Sequence, residues 1–174
     1  VRIAKTRRWI VIENDFYRVY VDRKSGLIHQ IYDKTKDEEL LSEPIRIRIY
    51  VDIPTLRRKN FAGAYASVFD AWEIFIHDNG KKYMDLYTAE AVVIQEKNQL
   101  RATITVKFRA KLPPIVDSTF VLKYIIDDIG NIDIQVHADW KAKHCMAKLV
   151  IPLNTKTDYA IYGTPYGKII RLDP

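Results

Sequence analysis

The sequence has little cysteine and no long apolar run, and these absences exclude several classes of protein. Its single cysteine, Cys145, cannot form a disulfide within the chain, so a reducing, cytoplasmic setting is favoured over secretion. No stretch approaches the roughly 20 apolar residues of a transmembrane helix, and no apolar segment follows the basic start of the chain to form a signal peptide. The first residue is Val1 instead of methionine, as expected of a piece of a longer polypeptide. We therefore expect no membrane partner.

What the chain does contain is typical of one globular domain. Of its 174 residues, 48% are hydrophobic and 29% are charged, which supplies enough apolar side chains for a substantial core and too many for a disordered chain. No internal repeat, low-complexity tract or flexible linker divides the sequence. Residues 1–174 are therefore interpreted as a single domain.

The chain is basic, with a net charge of +6 and an isoelectric point near 9.3. Such a charge is compatible with nucleic-acid binding, but the basic residues are dispersed. Arg46 and Arg48 alternate with isoleucines, which predicts that they lie on the solvated face of a strand. The densest clusters, residues 5–8 and 57–59, lie near predicted loops or ends. The leading interpretation therefore includes no nucleic-acid partner.

Apolar and polar residues alternate through much of the chain, which is the pattern of half-buried antiparallel strands. Other segments are apolar on both faces and are predicted to be central strands covered on two sides. Helical periodicity is almost absent, and residues 36–41 are the one short helical turn that the pattern allows. Many short strands separated by turn residues predict an all-β fold, a large antiparallel β-sandwich. The alternating segments are residues 45–52, 102–109 and 132–137, and the doubly apolar ones are residues 91–94, 124–126 and 149–153.

The clearest turn signal is HDNG at 77–80, and a hairpin is also predicted to join residues 16–21 to residues 27–32 through the sequence DRKSG at 22–26. Asp and Ser side chains can bond to their own backbone in such a turn, and glycine accepts a positive φ. Similar turn residues occur at 97–98, 113–114 and 127–131.

Residues 54–68 are the exception to this regular pattern, a long predicted loop between two strands. Loops of this length in compact β-domains are usually functional or interfacial, although a surface loop without a function remains an alternative. Gly63 permits close approach of the backbone, and Tyr65 offers an aromatic ring and a hydroxyl. Asp70, just beyond the loop, either caps it through backbone N–H groups or presents its carboxylate to a sugar hydroxyl. Tyr65 and Asp70 are the candidate substrate-binding residues.

His137 and Asp139 have the spacing of a metal-ligand pair, because residues two apart share one face of a strand. The apolar residues of the segment 132–136 occupy the opposite face, so the pair is expected on the polar, solvated side. We therefore predict no metal site in this chain.

Four segments contain short sequence motifs, which are more specific to a protein family than the alternation of apolar and polar residues. They are ENDFYRV at 13–19 with SG at 25–26 and IYDK at 31–34; YVDIP at 50–54 with FDAWEI at 69–74; HADW at 137–140 with KLVIP at 148–152; and YGKIIR at 166–171. Together and in this order they resemble the C-terminal β-domain of family 38 glycoside hydrolases, the α-mannosidases. Residue 142 is alanine where family members often carry an acid, so any role of that acid is lost here.

The resemblance implies a galactose-mutarotase-like supersandwich, incomplete at the C-terminus because the family's β-domain continues beyond the position of Pro174. It also implies a retaining α-mannosidase of mannose metabolism, whose zinc ion, aspartate nucleophile and acid catalyst belong to an N-terminal α/β domain absent from this chain. This chain would then supply no catalytic residue and no cofactor, would be inactive alone, and would have the catalytic domain as its partner. Gly63-Ala64-Tyr65 resembles a loop whose tyrosine reaches the catalytic pocket, which implies that Tyr65 contacts the α-mannoside.

Two interpretations from other classes remain open at this point. An autonomous carbohydrate-binding module would present exposed aromatic residues in a line and would bind oligosaccharides by itself. A basic nucleic-acid-binding β-protein would bind with an affinity that falls steeply as salt is added.

Overall fold

The structure is a computed structural model that describes residues 1–51, 58–59, 65–66, 83–155 and 157–172. Within these residues the chain forms antiparallel β-strands, so the fold is all-β, as the alternating sequence predicts. No helix in this part of the chain has the length and apolarity needed to cross a membrane. The strands are β1 (Arg2–Lys5), β2 (Trp9–Glu13), β3 (Tyr17–Asp22), β4 (Ile28–Asp33), β5 (Glu38–Glu39), β6 (Arg46–Val51), β7 (Arg58–Lys59), β8 (Tyr65–Ala66), β9 (Tyr83–Asp85), β10 (Ala91–Lys97), β11 (Arg101–Leu112), β12 (Val116–Asp127), β13 (Ile132–Asp139), β14 (Cys145–Val150), β15 (Tyr159–Thr164) and β16 (Gly167–Leu172).

Strands β1 to β5 form one antiparallel sheet in which each strand pairs with the next in the chain. Burial alternates along β2, because one face of this sheet packs on the core and the other is partly solvated. The core-facing side chains of β2, β3 and β4 are Ile10, Ile12, Val19, Val21, Ile28 and Ile31.

The turn between β3 and β4 has the chemistry that its sequence predicts. Asp22 Oδ1 accepts hydrogen bonds from the backbone N–H groups of Lys24 and Ser25, at 2.9 and 2.8 Å. Gly26 adopts a φ of +71°, and a Cβ atom placed on it would lie 2.2 Å from Cγ1 of Val106. Only glycine fits this turn without a shift of its neighbours, because the turn packs directly against the second sheet. The predicted hairpin is confirmed.

Strands β10 to β13 form that second antiparallel sheet, again in chain order. Its centre is the long hairpin of β11 and β12, paired from Arg101↔Asp127 to Leu112↔Val116. The even-numbered residues of β11 and, from residue 118 on, of β12 are buried in one core with the first sheet. Because apolar faces of both sheets meet in this core, they form the two layers of a β-sandwich.

A third antiparallel sheet has the order β14-β6-β9, and the isoleucines of β6 extend the same core. Strands β15 and β16 form a separate two-stranded hairpin, with Ile161↔Ile170 among its pairs. Strands β7 and β8 form a short ladder in which Lys59 pairs with Tyr65. The stretch 54–68 that was predicted to be a loop therefore contains paired strands, and the rest of it lies outside the described residues.

Residues 36–41 are not helical, so that prediction is wrong. Asp33 Oδ1 accepts the backbone N–H groups of Thr35 and Lys36, at 2.8 and 3.1 Å. Asp37 then takes a positive φ of 58°, which ends the turn before β5. Side chain–backbone hydrogen bonds of this kind give the chain an alternative to the helix, and here they prevail.

Two of the three segments predicted to be central strands covered on both faces are not. Residues 91–94 lie on β10, at the edge of the second sheet, where Val93 is 51% exposed. Residues 149–153 run from β14 into a connection in which Ile151 is 47% exposed. Residues 124–126 do lie in the central strand β12, where Tyr124 and Ile126 are buried and Ile125, on the other face, is half-buried. An apolar run thus marks a strand here without telling whether both of its faces are covered.

Candidate functional site: an arginine–aspartate clamp

Strand β6 places Arg46 and Arg48 on the face opposite the core, because the isoleucines at 47 and 49 take the core-facing positions. The neighbouring strand β9 pairs with β6 in the register Arg48↔Asp85. Both guanidinium groups therefore converge on one carboxylate. Arg46, Arg48 and Asp85 form what is here named the arginine–aspartate clamp.

The clamp is a dense set of charge-assisted hydrogen bonds. Arg48 donates from Nε to Oδ1 of Asp85 at 2.7 Å and from Nη2 to Oδ2 at 2.8 Å. Arg46 donates from Nε to Oδ2 of Asp85 at 3.1 Å and from Nη1 to Pro44 O at 3.0 Å. Its Nη2 pairs with Glu43 Oε2 at 2.8 Å. A bidentate arginine–carboxylate pair fixes direction as well as distance, so β6 and β9 are held in one register at this point.

The clamp is buried, so the prediction that Arg46 and Arg48 lie on a solvated strand face is wrong. The exposed fraction of the side chain is 7% for Arg46, 18% for Arg48 and 5% for Asp85. Charged groups withdrawn from water need partners, and here the partner is supplied by the next strand.

Mutual hydrogen bonding keeps the clamp ionised. The hydrogen bond from Arg48 lowers the pKa of the Asp85 carboxyl and outweighs burial, which acts in the opposite direction. The same bond raises the pKa of Arg48. Burial, and then the hydrogen bond that Tyr87 Oη donates to Asp85 Oδ2 at 3.1 Å, raises the pKa of the Tyr87 hydroxyl. Asp85 is therefore a carboxylate at neutral pH and has no proton to give as a general acid.

Tyrosine rings pack around the clamp. The Cζ atom of Arg48 lies 3.9 Å from the centroid of the Tyr83 ring, and the Tyr50 and Tyr83 rings are 5.9 Å apart. Lys148 Nζ lies 5.6 Å from the Tyr50 ring. Cation–π contacts of this kind add to the ion pairs and hold both tyrosines in place.

The clamp lies at the base of the segment that carries both candidate substrate-binding residues. Strand β6 ends at Val51 and strand β9 begins at Tyr83, and Tyr50 pairs with Tyr83 across the two strands. The described strands on either side of residues 52–82 therefore end and begin at neighbouring points of one sheet. The clamp ties these two strands together through Arg48 and Asp85.

An apolar crevice of about 410 Å³ lies on the core side of β6, the face opposite the clamp. Ile49 and Met84 line one side of it, and Leu112 and Pro113, at the end of β11, line the other. Its volume is within the range of small-molecule sites. The walls offer few polar groups to orient a sugar, so the crevice is suited to packing an apolar side chain.

The role of the two candidate substrate-binding residues stays a prediction. Tyr65 begins strand β8, whose backbone pairs with β7. The side chain of Tyr65 and the whole of Asp70 lie outside the described residues. The clamp therefore concerns the base of their segment and not the two side chains themselves.

His137 and Asp139 lie on β13, at the edge of the second sheet, and both are exposed. Asp139 Oδ2 pairs with Lys141 Nζ at 2.9 Å. In the parts of the chain that the structure describes, no three His, Cys, Asp or Glu side chains come together as a metal site would require.

Asp85 was missed by sequence reasoning, although a signal for it exists. Two arginines at positions i and i+2 of a strand share a face, and like charges on one face are stabilised by an acidic residue on the neighbouring strand. The sequence offers 22 acidic residues, and only the register of β6 with β9 selects Asp85 among them.

The described residues thus define an antiparallel β-sandwich whose buried ion cluster joins β6 to β9 and keeps its carboxylate ionised. The family model described as the glycosyl hydrolases family 38 C-terminal domain matches residues 12–173. The chain therefore belongs to that family, and it is a non-catalytic domain of a family 38 glycoside hydrolase. A search of curated proteins found no match to this sequence.

Proposed function

We propose that this chain is the C-terminal β-domain of a retaining α-mannosidase and that it packs on the catalytic domain of that enzyme. Membership of family 38 supports a glycosidase, and an exposed apolar surface supports the packing. In this proposal zinc and the two catalytic carboxyl groups belong to the partner domain. The enzyme cleaves α-mannosides in the cytoplasm.

The observation that carries the packing is the exposure of the β15–β16 hairpin. An isolated two-stranded hairpin is only marginally stable in water. The apolar side chains of this one are nevertheless far from buried, with Ile161 56%, Ile170 60% and Leu172 82% exposed. Contiguous exposed apolar side chains mark interaction sites in soluble proteins. A domain that covers this hairpin would bury these side chains and stabilise its strands.

The charge of the hairpin indicates what its partner surface contains. Lys168 and Arg171 lie among the apolar residues of β16, and the Cζ atom of Arg171 is 5.6 Å from the Tyr162 ring. A matching surface on the catalytic domain would have an apolar centre and acidic residues at its rim.

The arginine–aspartate clamp supports the finer part of the proposal, that residues 52–82 reach the substrate pocket. A segment that contributes to a pocket on another domain needs a rigid base, because small displacements at the base grow toward the tip. Tyr65 would contact the mannoside by ring stacking or through its hydroxyl. Asp70 would either pin the segment or accept a hydrogen bond from a sugar hydroxyl.

One observation favours a second candidate, the autonomous carbohydrate-binding module. Tyr159, Tyr162 and Tyr166 are 52%, 51% and 103% exposed on the hairpin, and exposed aromatic rings suit the C–H face of a sugar. This candidate requires that the chain alone binds oligosaccharides. The packing proposal expects these rings to be covered in the complete enzyme.

The test uses the complete enzyme encoded by the gene. In the variant Ile161→Asp with Ile170→Lys, the cross-strand pair of the hairpin becomes an ion pair, which preserves strand pairing while removing apolar surface. We expect the variant enzyme to be cut by protease between its domains much faster than the natural enzyme, with lower zinc-dependent α-mannosidase activity. Leu100→Asp, at a turn where Leu100 is 66% exposed, is the matched control and should change neither. Equal behaviour of the hairpin variant and the control would contradict the packing, and an enzyme without α-mannosidase activity would contradict the substrate.

A further inference from the structure

Two turns at one end of the first sheet lie side by side. The β1–β2 turn contains Arg7 and Arg8, and the β3–β4 turn contains Arg23 and Lys24. The backbone N–H of Arg23 donates to Arg8 O at 2.9 Å, and Arg23 Nη1 donates to Thr6 O at 2.9 Å. The sequence separates the two basic pairs, and the antiparallel meander brings them together.

The two turns enclose a shallow hollow of about 580 Å³ with a concentrated positive charge. Its lining contains four cations, Arg7, Arg8, Arg23 and Lys24, and one carboxylate, Asp22, so the local charge is four minus one, or +3. Charges of one sign around a concave surface raise the local concentration of the opposite ion.

Asp22 offsets only one of the four positive charges of the hollow, and both of its carboxylate oxygens already have partners. Oδ1 accepts the backbone N–H groups of Lys24 and Ser25, and Oδ2 faces Arg8 Nε at 3.3 Å. Burial works to raise the pKa of Asp22, but the hydrogen bonds from Ser25, Lys24 and Arg8 together lower it. The carboxylate therefore stabilises the turn between β3 and β4, and the hollow keeps most of its positive charge.

Two of the cations are held in place and two are unpaired. The Cζ atom of Arg8 lies 4.3 Å from the centroid of the Trp9 ring, and Arg23 is tied to Thr6. Arg7 and Lys24 form no ion pair with any side chain among the described residues. Two fixed guanidinium groups reduce the ordering that a ligand must impose, and two unpaired cations supply charge to bind it.

A second basic cluster on the same protein gives the contrast. Lys107 Nζ and Arg109 Nε pair with the two carboxylate oxygens of Glu90, at 3.1 and 2.6 Å. The hydrogen bond from Lys107 lowers the pKa of Glu90, so the cluster is ionised and largely neutralised. In that cluster one carboxylate faces two cations, whereas in the hollow one carboxylate, Asp22, faces four cations and pairs with Arg8 alone.

We propose that the hollow formed by Arg7, Arg8, Arg23 and Lys24 binds a phosphate or sulfate group carried by a sugar-sized molecule. Guanidinium groups match tetrahedral oxyanions because their N–H donors form a planar fork. The hollow is confined to two neighbouring turns, an extent that suits a small molecule and not a groove that tracks a polymer. This inference does not depend on the mannosidase assignment, since it concerns a face formed by β1 to β4.

The test is an NMR titration of the whole 174-residue chain at constant ionic strength, with sodium chloride as the balancing salt. The probes are inorganic phosphate, inorganic sulfate and glucose 6-phosphate, and glucose is the neutral match. We expect saturable shifts of the Trp9 indole N–H and of the arginine Nε–H signals with the three anions and none with glucose. Whichever of inorganic phosphate and inorganic sulfate binds with the higher affinity identifies the ester that the hollow prefers.

Variants locate the site. Arg7→Gln with Arg23→Gln should weaken the binding of glucose 6-phosphate about tenfold, because each exposed ion pair contributes roughly threefold. Lys107→Gln with Arg109→Gln removes the same charge elsewhere and should leave the affinity unchanged. Both double variants should retain the thermal midpoint of the natural chain within a few degrees, which separates lost binding from lost folding.

Three results would overturn the inference. Shifts no larger than those caused by chloride alone would mean that the hollow holds only a diffuse ion atmosphere. Equal weakening in both double variants would mean that net charge, and not this hollow, binds the anion. Single-stranded DNA of increasing length is titrated in the same way, and an affinity that appears only with this DNA and grows with its length would assign the face to nucleic acid.

Discussion

Replacing Asp85 with Asn tests whether the two buried arginines depend on that carboxylate as their partner. The substitution keeps the size of the side chain and removes the charge that both guanidinium groups share. Removing one partner of a buried pair costs about 3–5 kcal/mol, and we expect the lower end because Glu43 still pairs with Arg46 and Arg48 is 18% exposed. About 3 kcal/mol corresponds to a fall in Tm of about 6–12 °C for a chain of this length.

The assay is thermal and urea unfolding followed by circular dichroism. Asp139→Asn is the matched control, because it breaks the ion pair with Lys141 in which both side chains are more than half exposed, and it should cost less than about 1 kcal/mol. The triple variant Arg46→Met, Arg48→Met and Asp85→Leu replaces the whole cluster with apolar groups and should be near neutral in stability. A Tm for Asp85→Asn equal to that of the control would refute the reasoning.

The clamp also predicts how stability depends on pH. The pKa of Asp85 is lower in the folded chain than its ordinary value of 3.8, chiefly through the hydrogen bond from Arg48. A carboxyl whose pKa is lowered on folding contributes stability that is present above the unfolded value, and that stability is lost as the pH falls through the folded value. The natural chain should therefore lose stability below about pH 4 more steeply than Asp85→Asn does. If the free energy of unfolding fell equally steeply below about pH 4 in the two proteins, this assignment would be contradicted.

Three further predictions follow from the site and the fold. The 174-residue chain alone should hydrolyse no α-mannoside, with or without zinc, and measurable turnover would overturn the assignment of chemistry to another domain. Tyr65→Ala in the complete enzyme should lower kcat/KM for mannosides without changing the unfolding midpoint, and unchanged kinetics would remove Tyr65 from the pocket. Gly26→Ala should cost about 2 kcal/mol or more, because φ is positive and the new methyl meets Val106, and Val106→Ala should restore part of the loss. Gly163→Ala, where a Cβ meets nothing within 4 Å, is its control and should be near neutral.

Local sequence was a good guide to the alternating strands and to the turn between β3 and β4. The alternating residues 102–109 lie in β11, and the DRKSG sequence at 22–26 forms the turn in which Asp22 bonds to the N–H groups that follow it. The family-specific motifs were a good guide as well, because they occur in the order that the family shows. The helical prediction at 36–41 failed for a related reason, since the side chain of Asp33 competes with the helix through bonds that periodicity does not register.

The sequence by itself determined that this chain is an antiparallel β-domain, because strand alternation and turn chemistry depend on residues close together in the chain. Its family-specific motifs, and not its periodicity, indicated family 38. Only the tertiary structure decided that Arg46 and Arg48 are buried, since their partner Asp85 is 37 residues beyond Arg48 and meets it through strand register. The same holds for the basic hollow, whose two halves come from different turns. A charge on a strand is solvated or buried according to what the neighbouring strand places opposite it, and that choice is made by pairing in three dimensions.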